Sequence, residues 1–256
     1  MTDGLHLEEL VGAAVFTGAR VSGLMVFCPF LGSDAVPMPV KAALALLLTI
    51  LLHPLHGPVA LAASAWQWGE IALGEAMIGL LLGLTANFLF EGVLMAGQIL
   101  GVQIGYSLAN VFDPQTQADT PVLSELHQMA ALLIFLELDV HHWLLRALGR
   151  SFGYLPPGGA LSALVAGGLL HAAGGIFLSG VQIAAPSLAA TLVADVALGF
   201  LGKASPQLPV LFIGIALKNL LGLTVLLGAM AYWPRLFNQQ FARGVRLAEQ
   251  LLHLTR

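Results

Sequence analysis

Six side chains of ligand type crowd one stretch of the sequence: Glu125, His127, Glu137, Asp139, His141 and His142. Imidazoles beside carboxylates are the donor set of a zinc-type site. A helix brings donors together at spacings of three or four residues. Asp139 and His141 are two apart, adjacent histidines diverge by about 100° on a helix, and Glu125 and Glu137 lie about three turns apart. The spacing favours interfacial histidines at a helix end, and no metal is expected. Hydrolytic chemistry has no better support. Serines at 22, 33, 64, 107, 124, 151, 162, 179, 187 and 205 lack a glycine-flanked elbow, and no carboxylate pair carries a recognisable signature. Neither an enzyme nor a bound cofactor is expected.

The charged residues inside apolar runs are more informative. Lys218 sits within Leu-Phe-Ile-Gly-Ile-Ala-Leu-Lys-Asn-Leu-Leu-Gly-Leu, and Asp195 lies eight residues before Lys203. If residues 203 to 207 form a hairpin turn, Asp195 and Lys218 face each other at similar depth as a buried charge pair. Snorkelling of Lys218 to a near interface and separate contacts to neighbouring subunits are the alternatives. Arg20, Glu75, Glu91 and Glu137 pose the same problem: either they pair inside an assembly, or their helices are not simple bilayer spans.

The stretch Ala96 to Gln115 fits neither an ordinary membrane helix nor a soluble loop. Gly97, Gly101 and Gly105 recur every four residues, a bare stripe on which another backbone can lie closely. Gln98 and Gln103 carry amides that hydrocarbon leaves unsatisfied, so they should face protein or a water-lined space. Tyr106, Leu108, Val111 and Phe112 then form an apolar patch stopped by Asp113-Pro114. Gly105 supplies a hinge and Pro114 stiffens the exit. The reading is a gate that closes by packing these side chains together; a static connection between helices is the alternative.

The elements that must position these groups are membrane helices. Hydrophobic residues make up 58% and charged residues 9%, with mean hydropathy +0.88, far from the roughly 25% charge of a soluble domain. The net charge of −4 and the lack of a Lys/Arg cluster exclude a nucleic-acid partner. Cys28 reads as a small buried hydrophobe. The start, Met-Thr-Asp-Gly-Leu-His-Leu-Glu-Glu, is acidic, unlike a cleavable signal. Candidate helices are Leu10 to Phe30, Val40 to Leu55, Ile71 to Ile99, Val122 to Leu145, Leu161 to Leu201 and Leu208 to Tyr232. Pro186 should kink or break the fifth. The tail is amphipathic: Phe237, Phe241, Val245, Ala248 and Leu252 share a face that suits lipid or a partner subunit. Arg146, Arg150, Arg235, Arg243, Arg246 and Arg256 on one side leave Lys41 and Lys203 on the other, which does not settle orientation.

Four motifs in order resemble the FliR family, membrane proteins of the flagellar export gate with counterparts in type III secretion injectisomes. They are Pro29-Phe30-Leu31-Gly32-Ser33 with Val36-Pro37 and Lys41; Gly97 to Gly105 followed by Asp113-Pro114-Gln115 and Pro121-Val122-Leu123; His141 to Leu148 with Ser151-Phe152 and Leu155-Pro156-Pro157-Gly158; and Ala204 to Leu208 with Lys218. The resemblance implies an all-α membrane protein with a FliP-like helical part at 1–155, a linker at 156–160, a FliQ-like hairpin at 161–234 and an amphipathic tail at 235–256. It also implies FliP-like and FliQ-like partners, an FlhB-like subunit, unfolded export substrates in transit, contact with lipid, and residence in the bacterial inner membrane at the flagellar basal body. In such proteins the loop after the third helix resembles a channel plug, here Gly105 to Asp113. Energy would come from other components, since no nucleotide-binding loop is present. The competing class, a secondary transporter with a midplane small-molecule site, calls for paired broken helices, and Pro186 offers only one.

Overall fold

The computed structural model describes residues 2–29, 31–32, 36–55, 64–105, 122–156, 164–207 and 209–253. Among these, all regular structure is helical: α1 Thr2–Phe27, α2 Met38–Leu52 with a short 3₁₀ turn His53–Leu55, α3 Ala65–Ile104, α4 Val122–Glu137, α5 Val140–Tyr154, α6 Leu164–Ala204, α7 Val210–Met230 and α8 Trp233–His253. Segments within α1, α3, α6 and α7 are long and apolar enough to cross a membrane. At 15 residues α2 is short of a span.

Two expectations need correction. The predicted helix Val122 to Leu145 is two helices, because Asp139 adopts a left-handed backbone (φ 53°, ψ 30°) that ends one and caps the other. Aspartate tolerates this conformation better than most residues because its short polar side chain can bond locally. Of the kink or break expected at Pro186, the break does not occur: α6 runs through it for 41 residues, and long apolar flanks favour keeping every other backbone group paired. Of the apolar face expected on the tail, Phe237 and Phe241 are buried within the chain itself.

The chain forms two compact units that interleave along the sequence: residues 1–88, 139–173 and 240–256 make one, and 89–138 and 174–239 the other. In the first, Val21, Leu24 and Met25 of α1 pack with Leu48 and Leu52 of α2, Ile78, Leu81 and Leu82 of α3, and Ala147, Leu148 and Phe152 of α5. On α5 these buried positions recur with helical spacing, from Val140 and Leu144 to Ser151 and Phe152. The crossing of α1 and α3 depends on glycine. A Cβ on Gly79 would strike the Arg20 carbonyl, one on Gly23 the Ala76 carbonyl, and one on Gly83 would lie 2.5 Å from the Leu24 carbonyl oxygen. Such backbone proximity is how apolar helices associate without help from water. Cys28, just past α1, is buried, and burial pushes its thiol up to about 12, which makes it inert.

In the second unit Gly92 of α3 and Gly180 of α6 face each other's backbones, and a Cβ on Gly97 would sit 2.5 Å from Ser124 Cα of α4. Phe90 meets Phe135 edge-on at 5.6 Å. His127 stacks obliquely on Trp233 at 5.1 Å and bonds the Leu123 carbonyl through Nδ1 at 2.7 Å.

Candidate functional site

The second unit contains a polar cluster on otherwise apolar helices. Lys218 of α7 places Nζ 2.9 Å from Asp195 Oδ1 of α6, and Gln103 Nε2 of α3 donates to Asp195 Oδ2 at 2.9 Å. One carboxylate thus takes a donor from each of two neighbouring helices, which fixes their register as well as their separation. The pair is less enclosed than a buried one: the Asp195 side chain is 40% exposed and that of Lys218 20%. Both groups border a groove of about 530 Å³ lined also by Val102, Ile104 and Gly105. At Gly105 the backbone turns out of α3 with φ 99°, a conformation that favours glycine.

The other candidate positions divide. Gly97 and Gly101 are buried, and Gly97 makes the close approach to α4 described above. Gln98 is exposed on α3. Tyr106, Leu108, Val111, Phe112, Asp113 and Pro114 lie outside the described residues.

An ion pair in the first unit escaped sequence reasoning. Arg20 and Glu75, each lone in an apolar run, meet across α1 and α3. Arg20 Nη2 is 2.5 Å from Glu75 Oε2 and Nε donates to the same oxygen at 2.6 Å. Nη1 donates to Ser151 Oγ at 3.0 Å and Nη2 to the Leu155 carbonyl at 3.0 Å. The Phe152 ring lies beneath the guanidinium at 4.2 Å. Both side chains are enclosed, at 0% and 1% exposure. The available signal was one cation and one carboxylate, each about one turn from a glycine at which the helices touch. The ligand-type cluster also departs from expectation. Asp139, His141 and His142 come together, because Asp139 leaves the helix, while His127 is buried elsewhere.

Long apolar helices held to one another by interior carboxylate–cation contacts and bare glycine crossings define an integral membrane protein built for helix association. The sequence profile of bacterial export proteins, family 1, matches residues 11–244. The chain is 35% identical over 221 residues to the flagellar biosynthetic protein FliR of Escherichia coli (strain K12), covering 82% of this chain and 81% of that protein. It is 29% identical over 251 residues to the protein of the same name from Bacillus subtilis (strain 168), covering 96% of each. The chain belongs to the FliR family of bacterial export proteins, integral membrane subunits of the flagellar export apparatus.

Proposed function

We propose that this subunit helps form and close the channel through which unfolded flagellar proteins leave the cell, with the segment Gly105 to Asp113 as its plug. The observation that carries the reading is the end of α3. A helix of 40 residues stops at Gly105, on a groove that also carries Gln103, Asp195 and Lys218, which suits a plug segment that starts there. Tyr106, Leu108, Val111 and Phe112 close the pore by packing together and excluding water. The FliP-like part at 1–155 and the FliQ-like hairpin at 161–234 join FliP-like and FliQ-like subunits and an FlhB-like subunit in the inner membrane at the basal body. No catalysis is required of the chain. Exposed apolar side chains on α6 and α7, such as Phe200, Phe212 and Leu220, suit helices that neighbouring subunits or lipid cover.

Substituting Tyr106, Leu108, Val111 and Phe112 together with Ser or Gly tests the proposal. The expected result is a complex that still assembles with its partners but lets ions and small solutes leak across the membrane. A complex that assembles and stays as tight as the parent overturns the plug. Failure of the tagged chain to retain FliP-like and FliQ-like proteins on purification overturns the assembly.

A further inference from the structure

We propose that Asp139, His141 and His142 form a binding site for a late first-row divalent transition metal such as Zn²⁺ or Ni²⁺. One ligand atom from each residue lies within 4.8 Å of the other two. His142 Nδ1 is 3.1 Å from Asp139 Oδ1, and His141 Nε2 is 3.8 Å from the same oxygen. The two imidazoles are neighbours, with centroids 4.2 Å apart.

The convergence is a product of the backbone. Asp139 holds φ 53°, and its carbonyl accepts the His142 and Trp143 amides at 2.9 and 3.3 Å. This hooks the residue over the first turn of α5, so its carboxylate lies beside His141, two residues on, as well as His142, which the spacing of three would allow on a helix. Bonds of about 2.0–2.2 Å in a tetrahedral site set ligand atoms roughly 3.3 Å apart. Asp139 and His142 already meet that spacing. His141 Nε2 lies somewhat farther out at 3.8 Å, on a helix whose opposite face, from Val140 and Leu144 to Phe152, is packed in the core of the first unit.

The donors select the metal. Two imidazoles and one carboxylate suit Zn²⁺, Ni²⁺ and Cu²⁺, whereas Mg²⁺ and Ca²⁺ require oxygen donors. All three side chains are at least 37% exposed, which admits a hydrated ion and leaves water in the remaining position. A dication at a helix N-terminus works against the helix dipole. Asp139 therefore supplies charge compensation as well as a bond, and its amide should be a much poorer ligand. Bound metal would hold Asp139 against the first turn of α5, the helix that carries Ser151 and Phe152 to Arg20.

The full chain, purified in detergent with its native associations and a tag free of histidine, is titrated with ZnCl₂ by calorimetry and with CoCl₂ by visible absorption. The parent should bind one ion per chain with a ligand-field spectrum of mixed nitrogen and oxygen ligation. Asp139→Asn should weaken binding at least roughly tenfold, and His141→Gln with His142→Gln should abolish it. His142→Ala alone, at an exposed side chain, keeps the test interpretable if the double variant elutes abnormally. Absence of uptake by the parent overturns the site. So does stoichiometric uptake that survives in the variants, which assigns the ion to other histidines.

Discussion

Replacing Glu75 with Leu should be among the most damaging single changes in this protein, and more damaging than replacing Arg20 with Met. Glu75 accepts two of the four polar contacts that the Arg20 guanidinium makes. Without the carboxylate, a fully enclosed cation keeps a hydroxyl, a carbonyl and an aromatic face, and arginine cannot shed its proton to escape. Breaking such a pair from one side costs about 3–5 kcal/mol. That is on the order of a hundred- to a few-thousand-fold in the folding equilibrium, a large part of a typical total of about 5–15 kcal/mol. Arg20→Met should cost less, because an orphaned carboxyl can take up a proton. The double variant should recover much of the loss, since apolar side chains of similar volume replace the pair without a stranded charge. Abundance in membranes and the thermal midpoint in mild detergent report the order. Equal or greater loss in the double variant than in Glu75→Leu would refute the reasoning, because the pair would then be net favourable rather than mutually compensating.

Gly79→Ala should destabilise by about 1–3 kcal/mol or prevent folding, since the Arg20 backbone cannot yield. Gly74→Ala, five residues earlier on the same helix with open space around it, should be neutral or stabilising by up to about 1 kcal/mol; equal midpoints for the two variants would contradict the close crossing. Burial holds the His127 imidazole below its ordinary value and outweighs the opposing bond to the Leu123 carbonyl. The unfolded chain therefore takes up a proton near pH 6.5 that the folded chain refuses, so stability should fall as pH drops below about 6.5. His127→Gln should flatten that slope between pH 7.5 and 5.5 in thermal melts, and identical slopes would count against it. Lys218→Ala should impair assembly with partner subunits more than Lys218→Ala combined with Asp195→Ala, as judged by co-purification; a double variant no better than the single would dissolve the coupling.

Hydropathy made the long helices of this chain legible, and the lone charges within them announced interior contacts. What could not be read was which charges meet. Arg20 and Glu75 are 55 positions apart, and their meeting depends on the crossing of α1 and α3, which Gly23, Gly79 and Gly83 set only as a group. Regular spacing drew attention to Gly97, Gly101 and Gly105, whereas the α1–α3 crossing uses glycines divided between two helices. The turn at Asp139 had no proline or glycine to mark it, so helical spacing was applied across a break and scattered donors that the backbone gathers. At Pro186 the proline alone left kink and break both open, and the helix continues through it. Asp195 and Lys218 could be matched by depth alone, but the contribution of Gln103 needed the third helix.

The α1–α3 crossing also limits how the gene can change. Any single-base substitution that alters a glycine codon installs an amino acid with at least a Cβ, or a stop. At Gly23 and Gly79 even the smallest of these replacements meets a carbonyl of the facing helix. There is no gentle first step from which selection could drift to another pair of residues. Compensation would need both helices to separate together, which would also part Arg20 from Glu75. The crossing is therefore expected to tolerate almost no amino-acid change in a saturation screen, while Gly69 and Gly74 on the same helix, with open space around them, accept many.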